Sequence, residues 1–313
     1  MKARNLLLLL LLASLWGPSF LFIKVAVTTI NPISLAALRI GIAAILLVVF
    51  LYLKGGRLTA SAKFWKDVTI AGFFAHALPF VLINWGEIYI ASGLASILNG
   101  LTPLFTILVA HFMIEDDKMN AAKVTGTLLG FAGLFLLISP SLSLNMQASI
   151  LVIVAVSIGA LRYGIAMVYA RKNLSHAPPL HAPTAQLLVA TVYLVPLSLI
   201  VDGYSAYNLL ALPWEVTGSV LALAIFGTAI AFVVYYKIIE VANASYLALV
   251  TYLMPIYGVA LGILFLNESL SWYAIAGAGL ILTGLMIANK TISLKVLRPS
   301  KGIKLSTETD KTC

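Results

Sequence analysis

The chain has 313 residues, of which 61% are hydrophobic and 10% are charged. Soluble globular domains carry charge on about a quarter of their residues, so this composition excludes a water-soluble fold. The single cysteine, Cys313, excludes an intrachain disulfide, and the net charge of +9 requires an explanation from either topology or an anionic partner.

Long apolar runs without strand-like alternation predict membrane-spanning helices. The first run resembles a secretory signal, but it continues through Ile23 and is therefore interpreted as a retained span. About 20 helical residues cross the hydrocarbon layer. By that measure ten spans are predicted, at residues 5–25, 32–53, 68–90, 94–114, 119–138, 148–171, 181–201, 216–239, 244–266 and 271–290.

The distribution of Lys and Arg predicts the orientation of these spans. The loops near 139–147, 202–215 and 267–270 contain no Lys or Arg, whereas the loops on the other side are basic. Because basic loops stay in the cytoplasm, we expect both termini there, with the chain in the inner (plasma) membrane of a bacterial cell. The same rule explains the net charge without nucleic acid, whose binding requires a basic patch on a folded domain.

The second half of the sequence repeats the first. The matched pairs are Pro103 with Pro255, Glu115 with Glu268, Gly126 with Gly277, Gly133 with Gly284, Trp16-Gly17 with Tyr163-Gly164, and Lys24 with Arg171. We predict a first repeat at 1–138, a second at 148–290, and a basic, disordered cytoplasmic tail at 291–313.

An odd number of spans per repeat reverses the polarity of the second repeat. The predicted fold class is therefore an all-α polytopic membrane protein with ten transmembrane helices in two inverted five-helix repeats. Solute transporters are built in this way and bind their solute where the repeats meet. The partners expected from the sequence are thus a small-molecule solute and the lipid bilayer.

Pro103 and Pro255 each lie near the middle of a span, where proline frees the carbonyl four residues earlier. Those carbonyls belong to Asn99 and Thr251. A freed carbonyl at that depth needs a partner, which a solute or water supplies. The alternative is a kink that only shapes the packing.

Aromatic and small residues recur at a similar depth. Trp16 and Gly17 in span 1 correspond to Tyr163 and Gly164 in span 6, where a glycine lets a neighbouring backbone or a ligand approach closely. Rings with polar tips suit amphipathic solutes, although such rings also form belts at the membrane interface. Further candidates for lining the substrate pathway are Asn84, Trp85, Asn99 and Tyr252.

Ionisable residues within the spans are costly and are usually functional or paired. Arg39 in span 2 holds a substrate carboxylate, pairs with Glu87 or binds helix-end carbonyls. Glu87 and His76 are candidates for proton coupling, because both side chains titrate. Lys24 and Arg171 each follow the carboxyl end of a helix, where end-capping is the simpler interpretation. Glu115 and Glu268 precede the next helix, which favours a role at a helix amino terminus.

Spans 5 and 10 are rich in glycine, which lets helices pack closely in lipid, either between the two halves or between two copies in a homodimer. There is no phosphate-binding loop, no Cys/His cluster that suits zinc, and no deep acidic cluster that suits another cation. We therefore expect no enzyme activity, no cofactor and no metal.

The order and spacing of these residues resemble the EamA family of the drug/metabolite transporter superfamily, with two EamA domains. The resemblance covers about residues 5–290 and departs from the family pattern at Ile114-Glu115-Asp116-Asp117-Lys118. Its marks are Trp16-Gly17-Pro18-Ser19-Phe20 with Lys24, Arg39, Ala95-Ser96-Ile97-Leu98-Asn99 to Thr102-Pro103, Glu115, Pro255 and Glu268.

That resemblance implies a central cavity lined mainly by helices 1, 3, 4, 6, 8 and 9, and a secondary transporter that exports amino acids or related metabolites. The alternatives are multidrug efflux of amphipathic or cationic compounds, metabolite import, and a membrane scaffold or integral-membrane enzyme. The lack of a catalytic cluster disfavours the enzyme.

Overall fold

Ten helices form the part of the chain that the computed structural model describes, which is residues 3–58, 61–115, 117–143, 147–204, 207–241 and 250–289. These ranges contain no strand. Eight of the helices are long and apolar enough to cross a membrane, and two further apolar helices are shorter. The predicted all-α, ten-helix fold class is confirmed, whereas the predicted tail at 291–313 lies outside the described residues.

The ten helices are numbered here as membrane crossings, and four of them consist of two or three helical segments. They are α1 (Ala3–Trp16 and Ser19–Ala26), α2 (Pro32–Leu53), α3 (Ala62–Gly72, Phe73–Ala77 and Leu78–Tyr89), α4 (Ser92–Asn99 and Thr102–Met113), α5 (Ala121–Ser143), α6 (Gln147–Asn173), α7 (His181–Asp202), α8 (Trp214–Ala224, Ile225–Ile230 and Ala231–Val241), α9 (Val250–Leu266) and α10 (Trp272–Ala288).

Local sequence signals set several helix ends. The side chain of Asn31 accepts a hydrogen bond from the backbone N–H of Ile33 at 3.1 Å, directly before the proline that begins α2. Ser271 caps α10 through the N–H of Ala274 at 3.2 Å. Both contacts satisfy an amide that the first helical turn leaves unpaired. At the other end of α2, Gly55 takes a left-handed φ of 77°, which glycine adopts without strain.

The helices pack in a pattern that two inverted repeats generate. Helix α3 lies against α6 as α1 lies against α8, and α4 lies against α6 as α1 lies against α9. Helices α2 and α7, α4 and α9, and α5 and α10 pack against their own counterparts. The contacts of α6 with α3 and α4 thus have equivalents in the contacts of α1 with α8 and α9. The two halves therefore form one bundle around a pseudo-twofold axis.

The glycines of α5 and α10 join the two halves. A Cβ atom added to Gly133 would lie 2.6 Å from the carbonyl oxygen of Gly277, and one added to Gly277 would lie 2.7 Å from the carbonyl oxygen of Gly133. About two helical turns away, a Cβ atom added to Gly126 or to Gly284 would meet the carbonyl oxygen of the other in the same way. The small-residue face is therefore used between the repeats, and a homodimer would need a different surface.

Glu268 caps a helix, but the helix is not the one that follows it in sequence. Its carboxylate accepts hydrogen bonds from the N–H groups of Ser92 at 2.7 Å and Gly93 at 3.1 Å, at the start of α4. The Ser92 hydroxyl donates a third, at 3.0 Å. The next helix, α10, is capped by Ser271 instead. The charge therefore stabilises the amino terminus of a helix in the opposite repeat.

At the other end of the bundle, Asp117 joins the α4–α5 connection to the end of α6. Its carboxylate pairs with Lys123 at the start of α5 and with Arg171 on α6, the latter at 2.8 Å. The hydrogen bond from Lys123, followed by the one from Arg171, holds the pKa of Asp117 below its usual value. Arg171 thus serves an ion pair between the repeats.

Candidate functional site

A continuous series of aromatic rings runs through the bundle from the break in α1. The ring of Trp16 lies 5.8 Å from that of Tyr235 on α8, between centroids, and Tyr235 lies 6.4 Å from Phe232 one turn earlier. Phe232 in turn meets the imidazole of His76 on α3 at 5.5 Å, edge to face. These spacings are those of favourable aromatic pairs.

The series continues from α3 to α6. The centroid of His76 lies 5.9 Å from that of Phe80 one turn further along α3, and Phe80 lies 6.0 Å from Tyr163 on α6. Trp16 and Tyr163, which occupy equivalent positions in the two repeats, therefore stand at its two ends. We call Trp16, Tyr235, Phe232, His76, Phe80 and Tyr163 the aromatic series.

Arg39 is fixed beside Phe80, next to the Tyr163 end of the aromatic series. Its guanidinium carbon lies 4.4 Å from the ring centroid of Phe80, and its side chain is only 5% exposed. Nε donates to the Thr228 hydroxyl at 2.9 Å and Nη2 to the carbonyl of Gly227 at 3.3 Å. The sequence left three partners open for Arg39: a substrate carboxylate, Glu87 and helix-end carbonyls. Both hydrogen bonds go to α8, one of them to a backbone carbonyl, and neither goes to Glu87.

Two π-helical segments occupy equivalent places in the two repeats, Phe73–Ala77 in α3 and Ile225–Ile230 in α8. Each is met by a polar side chain from a neighbouring helix. Arg39 of α2 reaches Thr228, and Gln186 of α7 lies beside His76. Such segments disturb the regular helical hydrogen bonds and occur frequently at functional sites. Nothing in the sequence marked them.

Gly17 and Gly164 serve close contacts between helices. A Cβ atom on Gly17 would lie 2.7 Å from Cγ of Tyr257 on α9, and one on Gly164 would lie 2.9 Å from the backbone nitrogen of Thr106 on α4. Tyr257 is also joined to α1 by a hydrogen bond of 3.0 Å between its hydroxyl and that of Ser14. Of the two roles open from the sequence, close approach of a neighbouring chain segment is the one observed.

The two prolines do not act alike. Helix α4 is interrupted between Asn99 and Thr102, and Pro103 is the second residue of its second segment. Helix α9 continues through Pro255 over 250–266. The side-chain oxygen of Asn99 at the interruption is buried and has no hydrogen-bond partner in the described ranges. Gly100 packs against Pro255, since a Cβ there would lie 3.4 Å from its Cγ. The two prolines thus lie at one crossing of α4 and α9.

Three candidates have their contacts outside the aromatic series. Asn84 donates its amide to the carbonyl of Pro32 at 3.1 Å, at the start of α2. Trp85 packs edge to face on Tyr89 with centroids 5.3 Å apart. The hydroxyl of Tyr252 donates to the carbonyl of Leu285 on α10 at 3.3 Å. Each of these contacts ties one helix to another or to its own next turn.

Glu87 is fully buried, and neither of its carboxylate oxygens has a hydrogen-bond partner among the residues that the structure describes. Lys24 lies beside it, but donates to the backbone carbonyls of Glu87 at 2.6 Å and Ile90 at 2.8 Å. Lys24 therefore caps the end of α3, where a cation is favoured. The carboxyl group of Glu87 is left as a buried ionisable group near the end of α3.

Taken together, the site offers a fixed guanidinium, an imidazole and a row of ring faces. This set suits a solute that combines an anionic group with an apolar or aromatic body. Within the described ranges no three His, Cys, Asp or Glu side chains are grouped to hold a metal ion. Sequence reasoning missed Phe80 and Phe232, although phenylalanines four residues from His76 and three from Tyr235 were the available signal.

Known proteins resemble this chain over most of its length. An uncharacterised transporter of Archaeoglobus fulgidus is 28% identical, over 90% of this chain and 97% of its own length. A probable amino-acid metabolite efflux pump of Escherichia coli is 26% identical, over 92% and 95%. A crystal structure of a protein with 20% identity covers 93% of this chain and 99% of its own, with a TM-score of 0.64, and shows the same fold.

The family comparison covers both halves of the chain. The model of the EamA-like transporter family matches residues 4–139 and again residues 150–290. These two matches span nearly all of the ten helices. The chain therefore belongs to the EamA-like transporter family, within the drug/metabolite transporter superfamily.

Proposed function

We propose that this transporter is a secondary transporter that exports amino acids or related small metabolites, with its solute bound along the aromatic series. The observation that carries the proposal is the position of Arg39, whose guanidinium is buried beside Phe80 and held by α8. A relative that is named a probable amino-acid metabolite efflux pump supports the choice of solute.

In this proposal the solute carboxylate binds at Arg39, and its side chain packs on the rings between Trp16 and Tyr163. A charge-assisted hydrogen bond to a guanidinium in a dry environment is among the stronger polar contacts. Alternating access follows from rocking one repeat against the other about the site. The π segment of α8 contains the two residues that hold Arg39, and the π segment of α3 contains His76, so solute binding and helix geometry are linked at these segments.

The proposed location is the bacterial inner membrane, with both termini in the cytoplasm. The bias of Lys and Arg between the two ends of the bundle supports that orientation. Export then corresponds to release at the end that carries Glu268 and the α9–α10 connection. A homodimer is compatible with this arrangement only through a surface other than the glycine face of α5 and α10.

Glu87 is the proposed proton carrier, and His76 is the alternative. A buried carboxyl group with two unpartnered oxygens is costly to keep charged, so exchange of a proton at this group is a direct way to couple transport to a pH gradient. In proteoliposomes, Glu87→Gln should abolish the effect of a pH gradient and leave exchange at equal pH intact. Glu215→Gln, at an exposed position in α8, is the matched control.

Solute counterflow in proteoliposomes tests the proposed function. The wild type should exchange a labelled amino acid against members of an amino-acid and metabolite panel, and Arg39→Ala should lose exchange of carboxylate-bearing solutes. Lys54→Ala removes an exposed cation from the end of α2 and should exchange normally. Absence of counterflow for every amino acid and metabolite in the panel would overturn the proposal.

Multidrug efflux is the second candidate, and the row of ring faces favours it. Rings bind amphipathic or cationic compounds without a fixed anion partner. If multidrug efflux is the function, Arg39→Ala should retain transport of a cationic dye while amino acids fail to compete. Export is distinguished from metabolite import by measuring the direction of net flux in vesicles in which the orientation of the protein has been determined.

A further inference from the structure

A cavity lies away from the aromatic series, at the end of the bundle that the charge bias assigns to the cytoplasm. Its volume is about 460 Å³, which is within the range of small-molecule sites. One wall comes from the α2–α3 connection in the first repeat and the other from the α6–α7 connection in the second. The lining residues are Arg57, Ser61, Lys63, Phe64, Asp67, Asn173, Leu174, His176, Ala177, Pro178 and His181.

The charge of this cavity is strongly one-sided. Arg57 and Lys63 provide two cations, and the imidazoles of His176 and His181 provide further donors. The single acid, Asp67, is 7% exposed, and its Oδ1 already accepts a hydrogen bond of 2.8 Å from the hydroxyl of Tyr169. The open part of the cavity therefore presents donors and positive charge.

The backbone adds to this character. Ser61 and Lys63 belong to the start of α3, and His181 is the first residue of α7, so two helix amino termini border the cavity. Each helix dipole favours an anion at that end. The imidazole of His181 lies close to the turn after α2, since its Nε2 would be 3.1 Å from a Cβ atom added to Gly56.

The duplicated fold does not by itself produce this cavity. The inverted repeat of the α2–α3 connection is the α7–α8 connection, and residues 202–215 contain no Lys, Arg or His. The orientation rule accounts for basic residues at this end in general, but Lys54 and Lys66 obey the same rule and do not line the cavity. Its basic lining is therefore a specific feature of this surface.

We propose that this cavity is an anion site that binds a phosphate group, separate from the transport pathway. It lies where α2 and α6 end and α3 and α7 begin, which is the depth of lipid headgroups. Basic pockets between helices at the cytoplasmic side suit lipid headgroups. A phosphate-bearing solute from the cytoplasm presents the same chemistry, so the test distinguishes the two sources.

The test measures ligand binding to the full-length chain in detergent by native mass spectrometry. The probes are dihexanoyl-phosphatidylglycerol, dihexanoyl-phosphatidylcholine and inorganic phosphate. Phosphatidylglycerol should bind more tightly than phosphatidylcholine. Inorganic phosphate should compete with phosphatidylglycerol, because both bind through a phosphate group. Tighter binding of inorganic phosphate than of the lipid assigns the site to soluble phosphate compounds, and tighter binding of the lipid assigns it to the anionic headgroup. Equal affinity for the two lipids together with no binding of phosphate overturns the proposal.

Two matched double variants complete the test. Arg57→Gln with Lys63→Gln should weaken binding by about tenfold or more, since each removes a charge-assisted contact to phosphate. Lys54→Gln with Lys66→Gln removes the same charge from the same end of the bundle outside the cavity, and should weaken binding by less than about threefold. His181→Gln is a second variant within the cavity. An equal loss in both double variants shows general charge attraction and overturns the proposal.

Discussion

The contact between α5 and α10 can be tested with two glycines of one helix. A Cβ on Gly277 would lie 2.7 Å from the carbonyl oxygen of Gly133 and 3.0 Å from Cβ of Leu137, whereas one on Gly279 would have no atom within 4 Å. Because the atoms near Gly277 include backbone, they cannot move aside cheaply. The two glycines are otherwise alike, since both lie in the interior of α10.

We expect Gly277→Ala to destabilise the bundle and Gly279→Ala to leave it unchanged or slightly more stable. Overpacking of a tight contact costs about 1–3 kcal/mol. Replacing glycine by alanine in a helix gains up to about 1 kcal/mol. The free energies of unfolding of the two variants should therefore differ by about 1–4 kcal/mol.

The measurement is thermal unfolding of each purified variant in the same detergent. A difference of that size corresponds to a melting temperature lower by several degrees, about 2–4 °C per kcal/mol for a chain of this class. A Gly277→Ala variant as stable as Gly279→Ala would refute the close glycine contact between the repeats.

Three further changes have expected outcomes. Asp117→Asn should lower stability at neutral pH by at most about 1 kcal/mol, because its ion pairs are partly exposed. A carboxyl group with a lowered pKa stabilises the fold at a pH above its unfolded-state pKa, and this stabilisation is lost as the pH falls through its folded-state pKa. The unfolding temperatures of wild type and Asp117→Asn should therefore converge in acid. A gap that does not change with pH would contradict this pairing. Thr228→Val removes a hydrogen-bond acceptor from buried Arg39 and should lower the free energy of unfolding by about 1–3 kcal/mol. In the same thermal assay, Thr283→Val on the exposed face of α10 should lower it much less. Equal losses in the two variants would argue against the Arg39 contact. Glu268→Ala should cost about 0.5–2 kcal/mol by uncapping α4, and exposed Glu215→Ala should be near neutral, with hydrogen exchange at Ser92 and Gly93 as the readout.

The sequence predicts the general architecture well, because the physics of lipid is strict. A chain with 61% hydrophobic residues satisfies its backbone in a bilayer by forming helices. The matched glycines of the two halves indicated a close helix contact, and α5 and α10 make it. The choice between an internal interface and a dimer depended on tertiary structure.

The details of the site depended on contacts that no local pattern records. The break in α4 lies ahead of Pro103, between Asn99 and Thr102, whereas Pro255 lies in an uninterrupted stretch of α9. Prolines at equivalent positions of the two repeats therefore differ in whether the helix is interrupted, and the surrounding helices determine which of the two occurs. Glu268 reaches across to the other repeat for its partners, and such a distance in sequence leaves no spacing signal.

Aromatic residues show the same limit. The recurrence of an aromatic residue in the two halves predicted Trp16 and Tyr163 as pathway residues. These two residues lie at the ends of the aromatic series. Phe80 and Phe232 lie between them, but a phenylalanine in an apolar helix looks the same whether it faces lipid or a site. Only the structure shows that both of these rings contact His76.

The central claim is that solute passes along the aromatic series between the two repeats. Its most direct test is counterflow of a labelled amino acid with Trp16→Ala, Tyr163→Ala and Trp272→Ala in proteoliposomes of equal protein content. Trp272 is 63% exposed at the start of α10 and is the matched control. We predict loss of flux in the first two variants and wild-type flux in the third. Wild-type flux in Trp16→Ala and Tyr163→Ala would contradict the proposed pathway.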